Sequence, residues 1–148
     1  MAVKPRPDGY HSVTPYLVVK GVEGLIDFLG SAFGATVEFK HARPDGTIGH
    51  AEMKLGDSKI MMGEAGPQCA AKTAAHYLYV EDTDAVYHRA LDAGGTSLTE
   101  PTDHFYGDRG AGVEDPFGNT WWIGTHIEDV PHEELERRAA AARAQPSA

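Results

Sequence analysis

Cysteine is nearly absent from this chain of 148 residues. The single Cys69 leaves no internal disulfide, and its setting among Gly, Pro and Ala without a nearby histidine does not indicate a catalytic nucleophile. No apolar segment follows Lys4 and Arg6 near the N-terminus, which argues against a signal peptide. Together these features predict a cytoplasmic location.

Long hydrophobic runs and basic residues are also scarce. No apolar stretch approaches the roughly 18 residues that a membrane-spanning helix needs. There are 13 lysines and arginines against 22 acidic residues, and the net charge of −9 argues against nucleic acid and anionic membranes as partners. With 41% hydrophobic and 24% charged residues, the composition is that of a soluble globular protein, and a small molecule remains the expected partner.

Hydrophobic periodicity predicts a β-α-β-β-β unit in the first half of the chain. A β-rich run, Val13–Val19, follows a polar arm at residues 1–11. Between Gly21 and Gly34 the apolar residues recur at helical spacing, and Gly34 suits the end of a helix. The residues on that helical face are Val22, Leu25, Ile26, Leu29 and Phe33. The three strands predicted next are Thr36–Ala42, Thr47–Leu55 and Lys59–Gly63.

The same unit occurs again in the second half. The strand His76–Val80 precedes a helix, Asp84–Ala93, which Asp82 or Thr83 caps. The side chains predicted to face inward from this helix are Ala85, Val86 and Ala90. The further predicted strands are Thr96–Thr99, Gly110–Glu114 and Thr120–Thr125, with a longer loop at 100–109. Because Tyr16–Val19 aligns with Tyr77–Val80 and the helices then start at the same offset, we interpret the unit as an internal duplication of about sixty residues.

A third helix is predicted at Pro131–Arg143. Its acidic residues come early and its arginines late, which suits the helix dipole. Leu135 is its only large apolar residue, so we expect weak packing. The predicted organisation is one domain made of an arm (1–11), a first module (12–66), a linker (67–75), a second module (76–128) and a C-terminal helix with its tail (129–148).

The stretch Asp115–Asn119, Asp-Pro-Phe-Gly-Asn, has the composition of a turn. Pro presets φ, Gly accepts positive φ, and Asp and Asn bond back to nearby backbone, so we expect a hairpin here. This hairpin and the doubled β-α-β-β-β unit resemble the vicinal oxygen chelate superfamily across residues 12–128. That family contains glyoxalase I, bleomycin-resistance proteins, fosfomycin-resistance enzymes and extradiol dioxygenases. The segments Tyr106–Arg109 and Thr125–Asp129 resemble its PhnB-like, glyoxalase-related subgroup.

The resemblance implies an α+β fold in which two tandem βαβββ modules form a curved sheet around a cavity, followed by the C-terminal helix. It also implies a homodimer, with cavities formed by or near the interface. Metal-dependent members place four ligands on the first and last strands of the modules. Those positions fall here at Thr14, Met61, Ala75 and Trp122, and only His76 is a donor that a shift of one residue would bring in. Since a divalent ion needs about three N or O donors, we expect no such metal site, no cofactor and no ordinary glyoxalase activity.

Strand alternation predicts the side chains that face the cavity. His50 and Glu52 lie on one strand face and are a candidate acid–base pair; the alternative is a solvated face that continues to Lys54. Arg109 is a candidate for holding an anionic ligand, or else it forms an internal salt bridge. The predicted ligand-binding residues are Tyr16, Tyr77, Tyr79, His104, Tyr106, Arg109 and Trp122.

These residues leave two main functions open. The first is a non-catalytic binding protein, like the bleomycin-resistance members, that holds an aromatic or cationic molecule in an aromatic cavity. The second is a metal-independent or atypical-metal lyase, isomerase or transferase, in which His50 and Glu52 act on a carbonyl or epoxide. A third option is a domain that works only through a protein partner. We favour the binding protein.

Overall fold

The computed structural model describes residues 2–145, and the predicted tail beyond Gln145 lies outside this range. The elements in chain order are β1 (Tyr16–Val19), α1 (Val22–Phe33), β2 (Thr36–Ala42), β3 (Ile48–Leu55), β4 (Ser58–Glu64), β5 (Ala75–Tyr79), α2 (Thr83–Asp92), β6 (Thr96–Asp103), β7 (Asp108–Glu114), β8 (Thr120–His126) and α3 (His132–Ala144). This is the predicted α+β fold of two βαβββ modules followed by a C-terminal helix.

Each module forms its own four-stranded sheet, with the order β1-β4-β3-β2 in the first and β5-β8-β7-β6 in the second. The first and last strands of a module pair in parallel, and the other neighbours are antiparallel. Tyr16 lies opposite Met61, and Tyr77 lies opposite Trp122, at equivalent places in the two sheets. The helices begin at the same distance after these two tyrosines, so the duplication is confirmed.

The prediction of a loop at 100–109 is wrong. β6 continues to Asp103, which pairs with Arg109 at the start of β7, and only a tight turn at 104–107 separates the two strands. Irregular register in β6 allows this extension past Pro101. The predicted start of the first strand at Val13 is also too early, because β1 begins after Pro15, which has no N–H to donate.

The helices cover one face of each sheet. Four of the five residues predicted on the apolar stripe of α1 are buried, and Phe33 is partly buried. The helix packs against β3, where Ala51, Met53 and Leu55 are also buried. The inward face of α2 differs from the prediction, because Ala85 is exposed and Tyr87 is buried instead. Asp82 caps this helix by accepting the backbone N–H of Ala85 at 3.1 Å, so Thr83 is its first residue. The inward stripe then consists of Thr83, Val86, Tyr87 and Ala90, at helical spacing.

The two modules share one hydrophobic core. α1 packs against α2, and the ring of Phe33 lies 5.1 Å from that of Trp121. The linker adds a backbone hydrogen bond of 3.1 Å from Lys72 to Val18. This packing leaves the face of each sheet that lies away from its helix, called here the open face, accessible to solvent. Tyr16 and Phe39 are exposed on the first open face, and Tyr79 on the second.

α3 is attached by charged groups. None of its described side chains is buried, and the guanidinium of Arg138 bonds Glu128, Glu134 and the carbonyl of Phe105. The weak packing predicted from the single leucine is therefore confirmed. Among residues 2–145, no helix is both long enough and apolar enough to cross a membrane.

Candidate functional site

The Asp115–Asn119 turn decides which tryptophan reaches the second open face. Asp115 accepts the backbone N–H groups of Phe117 and Asn119, and also the indole N–H of Trp121 at 3.0 Å. Trp121 is thereby held in the core, where it is only 2% exposed. Since side chains alternate along a strand, the next residue, Trp122, points to the opposite face, where it is 40% exposed.

A cavity of about 370 Å³ lies on this second open face. Its side chains include Tyr77, His104, Tyr106 and Trp122. The rings of His104 and Tyr106 are stacked, with centroids 5.1 Å apart and planes within 5° of each other. Four of the seven residues predicted to bind ligand therefore line one cavity. Tyr79 joins them at the edge, where its ring centroid lies 5.0 Å from that of Tyr77.

Glycines make room for these rings. A Cβ added at Gly124 would lie 2.5 Å from the hydroxyl oxygen of Tyr77, and one added at Gly112 would collide with the ring of Trp122. A Cβ added at Gly110 would lie 3.1 Å from Cδ2 of His104. The aromatic rings thus lie over strand positions that lack side chains, and together they form a surface called here the aromatic floor.

Asp108 supports this floor from behind, and the sequence analysis missed its role. It is 4% exposed, and its Oδ2 accepts hydrogen bonds from the hydroxyls of Tyr77 at 2.7 Å and Tyr79 at 2.9 Å. Its Oδ1 lies 2.9 Å from Nδ1 of His126, whose Nε2 lies 2.7 Å from Asp129. The sequence analysis placed Asp108 in the predicted loop at 100–109, whereas in the structure it begins β7 on the open face.

The hydrogen bonds set the charge states in this cluster. Burial acts to raise the pKa of Asp108, but hydrogen bonds from His126 and the two tyrosines outweigh it and hold the pKa below its usual value. Hydrogen bonds to Asp108 and Asp129 raise the pKa of His126. Burial, followed by the hydrogen bond to Asp108 and the nearness of Tyr106, raises the pKa of Tyr77. The cluster therefore holds an ionised carboxylate and neutral tyrosines at neutral pH.

His50 and Glu52 lie together on the first open face. Nε2 of His50 is 3.2 Å from Oε2 of Glu52, and both side chains are partly exposed. The imidazole also lies near two aromatic rings, 5.9 Å from Tyr16 and 6.2 Å from Phe39 between centroids. The structure thus brings together the predicted acid–base pair and Tyr16, on a different sheet from the aromatic floor. Phe39 was not among the predicted site residues.

Arg109 is separated from all of these residues. It follows Asp108 in β7, so its side chain lies on the helix side of the sheet, where its guanidinium bonds Asp84 at 2.7 Å and Asp103 at 3.0 Å. These hydrogen bonds raise its pKa further. The internal salt bridge, which was the alternative in the sequence analysis, accounts for this residue.

The positions that the resemblance assigns to metal ligands carry few donors. Met61 lies opposite Tyr16 and Glu52 in the first sheet, and Trp122 belongs to the aromatic floor. The ring of His76 stacks on Trp121 at 4.4 Å, and burial lowers its pKa. Among residues 2–145, no three His, Cys, Asp or Glu side chains come close enough together to hold a metal ion.

Solved structures share this fold. TioX from Micromonospora sp. ML1 superposes with a TM-score of 0.69 at 24% identity, covering 79% of this chain and 99% of TioX. The PhnB protein from Bacillus cereus superposes with a TM-score of 0.65 at 19% identity, covering 78% of this chain and 99% of that protein. A glyoxalase-related enzyme from Fulvimarina pelagi superposes with a TM-score of 0.63 at 16% identity, covering 78% of this chain and 88% of that enzyme.

Relatives in sequence extend along nearly the whole chain. Uncharacterised proteins of Mycobacterium bovis and Mycobacterium tuberculosis are 33% identical over 147 residues, covering 92% of this chain and 94% and 84% of their own lengths. The family model of the glyoxalase/bleomycin resistance protein/dioxygenase superfamily matches residues 9–123. The chain therefore belongs to the glyoxalase/bleomycin resistance protein/dioxygenase superfamily.

Proposed function

We propose that this protein binds a small planar aromatic molecule on the aromatic floor of its second module. The observation that carries the proposal is the pairing of ring and glycine, in which Trp122 lies over Gly112 and Tyr77 over Gly124. A surface built of aromatic rings suits a planar aromatic ligand, because ring faces and edges both make favourable contacts with another ring. A core would instead interlock these rings with neighbouring side chains, whereas here the surface is open to solvent.

The donor set favours binding without the metal centre that metal-dependent family members use. Met61 and Trp122 supply a thioether and an indole ring, and neither is an oxygen or imidazole donor of the kind that a catalytic divalent ion takes. These residues do not fit the metal. Small-molecule recognition by ring faces and hydroxyls accounts for the residues that are present.

A second copy of the chain is the proposed cover for the open faces. The first open face exposes Tyr16 and Phe39 and the second exposes Tyr79 and Trp122, and exposed large apolar side chains of this kind are typical of an interface or ligand site. A homodimer that set one module's open face against the other module's would enclose the cavity. Sedimentation velocity tests this, and a purely monomeric protein at tens of micromolar would contradict it.

Equilibrium dialysis against a panel of planar aromatic compounds, with cationic and neutral members, tests the proposed function. We expect at least one compound to bind in the micromolar range. Trp122→Ala should weaken that binding about tenfold or more, whereas Trp122→Phe, which keeps a ring, should retain most of it. Val13→Ala, at an exposed position before β1, is the control. No binding by any member at high micromolar concentration would contradict the proposal.

An enzyme that uses His50 and Glu52 is the second candidate function. The observation that favours it is their hydrogen-bond distance of 3.2 Å, which allows the carboxylate to orient the imidazole for proton transfer. If turnover of a carbonyl or epoxide substrate is found, we expect His50→Ala and Glu52→Gln to lower kcat about a hundredfold. Unchanged turnover in both variants would rule this assignment out.

A further inference from the structure

Asp108 accepts hydrogen bonds from both tyrosine hydroxyls of the second open face. Each phenol has one proton, and those of Tyr77 and Tyr79 both point to Oδ2 of this carboxylate, at 2.7 Å and 2.9 Å. The hydroxyl oxygens retain lone pairs that can accept a hydrogen bond. A ligand on the aromatic floor therefore meets acceptors at these two positions.

We infer that Asp108, acting through Tyr77 and Tyr79, makes the site select ligands that present an N–H or O–H donor at this edge of the floor. Asp108 is a positioning residue, because at 4% exposure it does not itself reach a ligand. This inference rests on the proposed function, since it concerns a ligand bound on the same floor. It adds the hydrogen-bonding character that the ligand must have.

The remaining groups around the carboxylate reinforce this arrangement. Oδ1 of Asp108 is engaged by His126, and Asp129 holds the other ring nitrogen of that histidine at 2.7 Å. Each oxygen of the carboxylate therefore has a donor, and neither tyrosine needs to turn its proton elsewhere. Tyr79, which is 61% exposed, offers the more accessible acceptor, while Tyr77 lies deeper and beside Tyr106.

Indole and benzofuran are suitable probes because they have nearly the same shape and differ at one ring atom. Indole donates through its N–H, whereas the benzofuran oxygen can only accept. We expect ligand-observed NMR titrations to give wild-type protein a preference for indole of about threefold to tenfold, the range of one hydrogen bond. The ratio of the two dissociation constants is the readout, because a general loss of packing would weaken both probes together.

Three variants test the role of the cluster. Tyr79→Phe and Tyr77→Phe keep the ring and remove the acceptor, so the preference for indole should fall toward one. Asp108→Leu releases both hydroxyl protons, which can then donate to benzofuran, so the preference should fall through tighter benzofuran binding. Asp103→Asn is the control, because it removes one acidic charge from the same hairpin. The Asp103 side chain bonds Arg109 and neither tyrosine, so the ratio of the two dissociation constants should not change.

The outcomes separate this inference from the proposed function. Equal binding of indole and benzofuran to the wild-type protein would overturn the inference and leave the aromatic floor intact. Binding of neither probe, while another planar compound of the panel still binds, would overturn the inference alone, and no binding by any compound would overturn both. If Asp108→Leu does not fold, the two Tyr→Phe variants decide, and a preference that survives both of them overturns the inference.

Discussion

Trp121 donates its indole N–H to Oδ2 of Asp115 across 3.0 Å, inside the hairpin that joins β7 to β8. The same carboxylate accepts two backbone N–H groups and the side-chain amide of Asn119. Asp115, Asn119 and Trp121 are all buried. A single carboxylate therefore holds together the turn and the buried tryptophan.

Asp115→Ala should lower the free energy of unfolding by about 3 kcal/mol or more. The reason is that several buried donors lose their acceptor at once, and each such loss costs roughly 1–3 kcal/mol. Urea unfolding followed by tryptophan fluorescence measures the change. Asp57→Ala, in the exposed turn between β3 and β4, is the control and should cost less than about 0.5 kcal/mol. Equal effects in the two variants would contradict this role.

Glu64 caps α1 from the end of β4, and its loss should also destabilise the protein. Its two carboxylate oxygens accept the backbone N–H groups of Gly21 at 2.8 Å and Val22 at 3.1 Å, where the helix has no local side-chain cap. We expect Glu64→Ala to cost about 1–2 kcal/mol in thermal or urea unfolding. Glu23→Ala, on the exposed first turn of the same helix, should cost about 0.5 kcal/mol or less. A smaller effect at Glu64 than at Glu23 would refute the capping role.

Gly112→Ala should weaken ligand binding while leaving the fold intact. The added Cβ would collide with the ring of Trp122, which is 40% exposed and would have to leave its place over Gly112. We expect about a tenfold loss of affinity for a planar aromatic compound found by dialysis, with a nearly unchanged melting temperature. Gly66→Ala is the matched control, because a Cβ there meets nothing within 4 Å. Unchanged affinity in Gly112→Ala would count against the aromatic floor as the binding surface.

His126 should make the stability of the protein fall as the pH rises from neutral. Hydrogen bonds to Asp108 and Asp129 raise its folded pKa above the unfolded value of about 6.5. Its contribution is therefore fully present below that unfolded value and is lost as the pH rises through the folded pKa. We expect the melting-temperature difference between wild type and His126→Asn to be largest near pH 6 and to shrink by pH 9. A difference that stays constant over this range would contradict the prediction.

The contribution of Asp108 to stability has the opposite pH dependence and is lost at acid pH. Its pKa is held below the usual value in the fold, so its contribution is present above the unfolded pKa of about 4 and is lost as the pH falls through the folded pKa. The Asp108–His126 pair is therefore expected to stabilise the protein most between these two limits. Comparing wild type with Asp108→Leu from pH 3 to pH 6 measures the acid side, and a pH-independent difference would exclude it.

The sequence by itself determined the fold and the family. The repeated tyrosine strands, the helical apolar stripe of α1 and the Asp115–Asn119 turn are local patterns, and each depends on residues close together in the chain. Alternation along a strand is equally local, and it correctly assigned His50 and Glu52 to the face opposite Ala51 and Met53. The extent of β6 was missed, because its pairing through an irregular register is not a local pattern.

Only the tertiary structure decided which polar groups meet. Tyr77 bonds Asp108 across 31 positions of sequence, and Arg109 bonds Asp84 across 25. Adjacent residues of β7 therefore have opposite environments, with Asp108 behind the aromatic floor and Arg109 in a salt bridge on the helix side. Hydrogen bonds between distant segments depend on how sheets and helices pack, and packing brings together residues that the chain itself keeps far apart.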